Sequence, residues 1–244
     1  MLRWLILLAS AAKFGPLLKT GGTMLLSVVA YSFIFGWWYA AGFVLLILVH
    51  ELGHYVAARR IGLKVGLPTF IPFVGAWIEL KQQPVSVAQE AQIAFAGPFV
   101  GTVGATVAYW AAGQYQSDLL LGISYAGFFI NLFNLVPISP FDGGRIVAIL
   151  SPKVWLLGAP ILIGIFLLIP SPMFLLILIL LAPSIWQGLR SAWEGTTPQA
   201  NPRYYEVPPH ARIRYAAYYL LLLAYLCVMT FRVHSELRTI APAT

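Results

Sequence analysis

Residues 50–54 read His-Glu-Leu-Gly-His, set in the otherwise apolar stretch AGFVLLILVHELGHYVAARR. On a helix, positions i and i+4 share a face, so the imidazoles of His50 and His54 reach a common point and can hold one metal ion. Glu51 projects about 100° around the axis from His50, where it can touch a water on that metal without ligating it. This donor set suits zinc, which lowers the pKa of a bound water to about 7, and a neighbouring carboxylate then takes its proton. With 4 His in 244 residues, and Glu little commoner, the pattern arises by chance in about 0.2% of such chains. The competing explanation, two buried histidines hydrogen-bonding between helices, must also accommodate a glutamate between them in an apolar setting, at a cost of several kcal/mol.

The elements that position these residues follow from composition. The chain is 60% apolar and 9% charged, against about 25% charged in soluble domains. A surface so poor in charge excludes a soluble enzyme, a disordered tail and a fibrous repeat, and points to an all-α polytopic membrane protein. Apolar runs at 22–39, 41–58, 91–112, 118–137, 154–169, 172–189 and 214–231 predict about seven transmembrane helices. Pro160 and Pro183 should kink the fifth and sixth, which Pro170-Ser171-Pro172 joins by a tight turn. With a cytoplasmic N-terminus, thirteen of the 15 Lys and Arg residues fall inside, and only Arg232 and Arg238 outside. The net charge of +7 is therefore a matter of topology, and nucleic-acid binding is not expected. The lone Cys227 forms no internal disulfide.

Four regions fall out of this pattern: an interfacial N-terminal segment at 1–20, a transmembrane domain at 21–189, a cytoplasmic loop at 190–213, and a last span with its tail at 214–244. Arg3, the run Trp4–Ala12 and Ala9-Ser10-Ala11 resemble a short signal peptide. Lys13 and Lys19 directly before the first span favour retention as an interfacial helix. Residues 63–84 are apolar but interrupted by Gly66, Pro68, Pro72 and Gly75, which suits a small β-hairpin at the membrane surface.

A catalytic zinc takes a third protein ligand. In the seven-span topology Asp118 and Glu236 lie on the opposite side, Glu194 and Glu206 in the long loop, and Glu79 and Glu90 beside an interfacial segment. Asp142 alone is joined directly to a span at the depth of the histidines, on a Phe-Asp-Gly-Gly turn that lets backbone approach closely. Asn131 and Asn134 lie one turn apart on the span leading to it. Either could hydrogen-bond a neighbouring helix, and Asn134 could instead contact substrate backbone or developing oxyanion charge. Gly97, Gly101 and Ala105 form a small-residue stripe for close helix packing. The aromatics at 35–39 and Tyr204-Tyr205 are interface anchors, and His210 and His234 exposed loop residues.

HELGH in one span and Asn-Leu-Val-Pro-Ile-Ser-Pro-Phe-Asp-Gly-Gly at 134–144 together resemble the site-2 protease family of intramembrane zinc metalloproteases. That family pairs H-E-x-x-H with N-x-x-P-x-x-x-x-D-G, which Asn134, Pro137, Asp142 and Gly143 match. The resemblance covers a core of about 40–150. It implies one catalytic zinc on His50, His54 and Asp142, Glu51 as acid/base, and Asn134 beside the substrate peptide. It also implies cleavage of a membrane-protein substrate within or beside its transmembrane segment, with the hairpin pairing to the unwound substrate, and the charge bias puts the site toward the cytoplasmic side of the bilayer. Ala96-Gly97-Pro98 matches the family's A-G-P element, but Gly101 stands where many members have Asn, so no catalytic role is assigned there. No stretch has the size of a PDZ or CBS domain, so a minimal form is expected. Two other classes use the same residues. A metal or proton transporter would show repeated halves or polar residues at several depths, and a non-catalytic metal-binding relative would have no use for Glu51. Oligomeric state is not legible in the sequence.

Overall fold

The structure, a computed structural model, describes residues 2–168, 172–194 and 202–240. The chain runs α1 (Leu2–Phe35), α2 (Trp37–Arg60), β1 (Thr69–Ile71), β2 (Gly75–Trp77), α3 (Val87–Tyr115), α4 (Asp118–Asn134) and α5 (Asp142–Val147). A 3₁₀ turn (Pro152–Leu157), α6 (Gly158–Leu168), α7 (Pro172–Glu194), a second 3₁₀ turn (Pro202–Tyr205) and α8 (Pro209–Ile240) follow. Among the described residues, five helices are long and apolar enough to cross a membrane, and Asp118–Asn134 and Pro152–Leu168 are shorter apolar segments. These seven occupy the positions of the seven expected spans.

Boundaries differ where apolar runs hide the turns. The first turn is not at residue 40 but at Gly36, whose φ of 80° is readily reached only without a Cβ. The backbone of α1 is helical through residue 20, where the interfacial segment was expected to end. The turn expected at Pro170-Ser171-Pro172 falls largely at 169–171, outside the described residues, with Pro172 opening α7. The loop expected at 190–213 is shorter. Arg190 donates to Glu194 at 2.7 Å, continuing α7, and Pro209 begins α8 at a position where a missing N–H costs nothing. Residues 195–201 of that loop lie outside the described residues.

Helix starts are set by local chemistry. Ser86 caps α3 by accepting from Gln89 N at 3.3 Å, while the Gln89 side chain accepts from Val85 N, the residue before the cap, at 3.1 Å. Ser117 caps α4 through Leu120 N at 3.3 Å. The hairpin expected at 63–84 is present: Thr69 pairs Trp77, Phe70 pairs Ala76 and Ile71 pairs Gly75, antiparallel. The ladder continues outward through Gly66 N to Glu79 O and Lys81 N to Lys64 O, both 2.9 Å. The β1 strand is tied to α1, with Phe70 N donating to Thr23 Oγ1 at 3.3 Å and Thr20 Oγ1 to Pro68 O at 2.7 Å. The buried core unites α3, α4, α5 and α8 around Phe128, Ile146 and Leu226, and a smaller cluster of Tyr31, Val44, Ile47 and Phe70 joins α1, α2 and β1. Leucines, isoleucines and tryptophans of α7 and α8 are exposed, as lipid-facing surface requires.

Candidate metal centre

The histidines arrive by helical spacing, and Asp142 by a fold-back of the chain. After α4 ends, residues 135–141 return over α5. A Cβ on Gly143 would collide with the carbonyls of Leu135 and Val136, and one on Gly144 with the backbone of Ile138 and Ser139. Both glycines are thus spent on close backbone approach. Tyr219 of α8 donates to Leu135 O at 2.7 Å, and Trp155 Nε1 to Gly144 O at 2.8 Å, pinning the fold-back from two sides. Asp142 then opens α5 facing α2.

The three expected donors converge. His50 Nε2 and His54 Nε2 are 3.0 Å apart, and Asp142 Oδ2 lies 3.2 Å from the first and 3.1 Å from the second. All three residues are buried, at 6%, 8% and 7% exposure. Tetrahedral zinc with bonds near 2.0–2.1 Å requires ligand atoms about 3.3 Å apart, and this triangle is close to that size.

Hydrogen bonding fixes which ring nitrogens carry protons. His54 Nδ1 is 2.7 Å from Ile93 O, and a carbonyl only accepts, so Nδ1 donates. Asn131 gives its amide N–H to Gly127 O at 2.7 Å, so its Oδ1, 2.8 Å from His50 Nδ1, accepts from that ring. With Nδ1 protonated in each ring, Nε2 is the nitrogen that a neutral imidazole offers to a metal, and both point at one place, where a carboxylate oxygen also points. Two ring nitrogens and a carboxylate oxygen brought to about 3 Å repel as lone-pair donors unless a cation, a metal ion or a proton, sits among them. On donor chemistry, protonation and spacing, these residues fit a zinc ion.

Asn131 thus has a role the sequence left open between two asparagines. It is fully buried and orients His50, while Asn134 donates to Ile130 O at 3.0 Å and lines the cavity. Metal-bound histidines depend on such partners, so Asn131→Ala is expected to weaken zinc binding about 10–100-fold, measured by competition with a chromophoric chelator. The small-residue stripe packs closely, as expected, and its purpose is specific. A Cβ on Gly97 would overlap the His54 imidazole, and one on Gly101 the Asn131 amide. Gly97→Ala should therefore displace His54 and lower zinc affinity about tenfold or more in the same assay, overpacking here costing about 1–3 kcal/mol.

The triangle opens onto a cavity of about 740 Å³. Glu51, 7% exposed, lines it beside the three donors without being one of them. The β2 strand and the hairpin tip form one wall, Phe129, Phe133 and Asn134 of α4 another, and Ile165 of α6 with Phe174, Ile177 and Leu181 of α7 a third. The cavity is mostly apolar, with its polar groups gathered at the histidine–aspartate end. Among the described residues, His50, His54 and Asp142 form the one group of metal-ligating side chains so clustered. His210 and His234 are exposed and stand apart.

Residues 38–122 match the family model described as Peptidase family M50. Zinc metalloprotease MJ0392 of Methanocaldococcus jannaschii is 32% identical over 124 residues, covering 47% of this chain and 36% of that protein. Rip3 of Mycobacterium tuberculosis is 33% identical over 134 residues, covering 50% of this chain and 34% of that protein. The chain thus spans about a third of the length of these curated relatives. The solved structure titled Site-2 Protease from Methanocaldococcus jannaschii aligns with a TM-score of 0.45 at 23% identity, over 73% of this chain and 88% of that one. The matched segment contains HELGH, and over it the chain is similar to peptidase family M50 and to proteins named zinc metalloproteases.

Proposed function

We propose that this protein is an intramembrane zinc metalloendopeptidase that cuts a membrane-protein substrate within or beside its transmembrane segment. The observation that carries this reading is the triangle of His50 Nε2, His54 Nε2 and Asp142 Oδ2, with both imidazoles held in the metal-binding tautomer, at the end of an apolar cavity that also holds Glu51. His50, His54 and Asp142 hold the ion. Zinc, when bound, polarises a peptide carbonyl and makes water nucleophilic at neutral pH. Glu51 takes the proton from the attacking water and returns it to the leaving amine. Asn134 is assigned to the substrate backbone.

The substrate must unwind, because a helical peptide bond is shielded by its own hydrogen bonds. The hairpin suits an extended segment. With β1 occupied by α1, the β2 side lines the cavity, and a substrate strand would add to the free β2 edge. We assign seven spans, a multi-pass position in the cell membrane, and a cytoplasmic N-terminus, with the site toward the cytoplasm on the charge asymmetry of the loops. On the same footing, residues 1–20 are an interfacial segment, 21–189 the protease domain, the connection between α7 and α8 within 190–213 cytoplasmic, and 214–244 the last span and tail.

The transporter alternative uses the same cluster, but among the described residues the metal-ligating groups gather at one depth and form no second site. Full-length protein in sealed vesicles with a single-span reporter separates the two. Chelator-sensitive cleavage without zinc flux is expected, and zinc flux without cleavage would replace the protease reading with a transporter.

A further inference from the structure

One chain of polar contacts leads away from the metal centre into a segment outside the expected catalytic core. Asp142 has two carboxylate oxygens, and only Oδ2 faces the histidines. The other, Oδ1, lies 3.5 Å from a terminal guanidinium nitrogen of Arg145, one turn along α5. Arg145 Nε donates at 3.3 Å to Glu90 Oε1, in the first turn of α3. The second oxygen of Glu90 accepts a hydrogen bond from the Tyr204 hydroxyl, in the 3₁₀ turn before α8. Tyr204 is 4% exposed and packs in the core that holds Ile146 of α5. Burial and the facing Glu90 carboxylate push its phenol above the usual range, so it remains a donor.

We propose that Tyr204, Glu90 and Arg145 are positioning residues that hold Asp142 with one oxygen free for the metal. The inference rests on the metal-site reading above. Its physical basis is competition. An arginine beside a lone carboxylate prefers a bidentate fork over both oxygens, which would draw Oδ2 of Asp142 away from His50 and His54. Glu90 occupies Nε, which removes the side-on fork that pairs Nε with a terminal nitrogen, and Oδ1 of Asp142 meets a terminal nitrogen alone. The Tyr204 hydroxyl in turn keeps Glu90 on Arg145. As an ordinary half-exposed ion pair, Arg145–Glu90 would contribute little. Its consequence lies in which oxygen of Asp142 stays available. The arrangement makes the turn before the last helix part of the metal centre, 114 residues along the chain from Glu90.

The test uses the full chain purified in detergent, with zinc affinity read by chelator competition and ligand geometry by the visible absorption of the cobalt(II) form. Tyr204→Phe keeps the buried ring and loses only the hydroxyl, and Glu90→Gln keeps the shape and loses the charge. Zinc affinity should fall about threefold to tenfold in the first and about tenfold or more in the second, outer partners of metal ligands being worth roughly 10–100-fold. Both cobalt spectra should shift, and kcat on a single-span reporter should fall with KM unchanged. The double variant should be no worse than Glu90→Gln alone, because the hydroxyl acts only through that carboxylate. Wild-type affinity and spectrum in both single variants would overturn the relay. Absence of a one-to-one zinc site in the wild type would instead overturn the metal-site reading itself.

Discussion

Glu51→Gln is expected to lose about 10⁴-fold in kcat on a single-span reporter while still binding one zinc ion, the upper end of what a general acid–base group contributes. The expectation follows from where Glu51 sits. It shares the cavity with the three donors yet stands outside their triangle, so glutamine leaves the ligand set untouched. The amide keeps size and hydrogen-bonding capacity but cannot take a proton from water or return one to the amine. Both transfers fail together, and kcat carries the loss, whereas substrate affinity should change little. The check pairs turnover with metal content on one preparation. Zinc lost along with activity would make Glu51 a ligand, and undiminished turnover would remove it from the chemistry.

Asp142→Asn is the second large effect, of the opposite kind. The variant should lose zinc affinity about 10²–10³-fold, the share of one ligand in a zinc binding free energy of roughly 10–16 kcal/mol. The change subtracts the negative charge that faces the two imidazole Nε2 atoms 3.1–3.2 Å away and puts an amide in its place. It also removes the ion-pair partner of Arg145. Turnover should vanish at limiting zinc and return in part when zinc is raised, a recovery that Glu51→Gln should never show. A titration of activity against free zinc for both variants separates ligand from acid/base, and identical curves would contradict the division of roles.

Local rules in the sequence carried much of this site. The i, i+4 histidines needed only helical periodicity. Asp142 needed only its Gly-Gly neighbours and a span ending at the right depth, and the hairpin was legible in Gly66, Pro68, Pro72 and Gly75 because those residues break a helix wherever they stand. What escaped depends on how helices rotate against one another. Asn131 and Asn134 are equivalent by spacing, and only the packing of α4 on α2 turns one to His50 and the other to the cavity. Gly97 and Gly101 read as packing residues, which they are, but what they pack against is His54 and Asn131. Tyr204 read as an interface anchor, since nothing local links it to Glu90. Gly36 was missed as the first turn because the apolar run continues across it, and hydropathy does not register a single residue of positive φ.

In the proposed function, three converging donors and a buried glutamate make a metal-dependent peptide hydrolase. The most direct test is mass spectrometry of reporter fragments produced by purified, zinc-loaded protein in water enriched in oxygen-18. The expected result is a cut within or beside the membrane segment, one heavy oxygen in the new carboxyl terminus, loss of products on chelation and their return with one equivalent of zinc. Cleavage that persists in the metal-free protein, or an intact reporter in the presence of a fully zinc-loaded site, would contradict it.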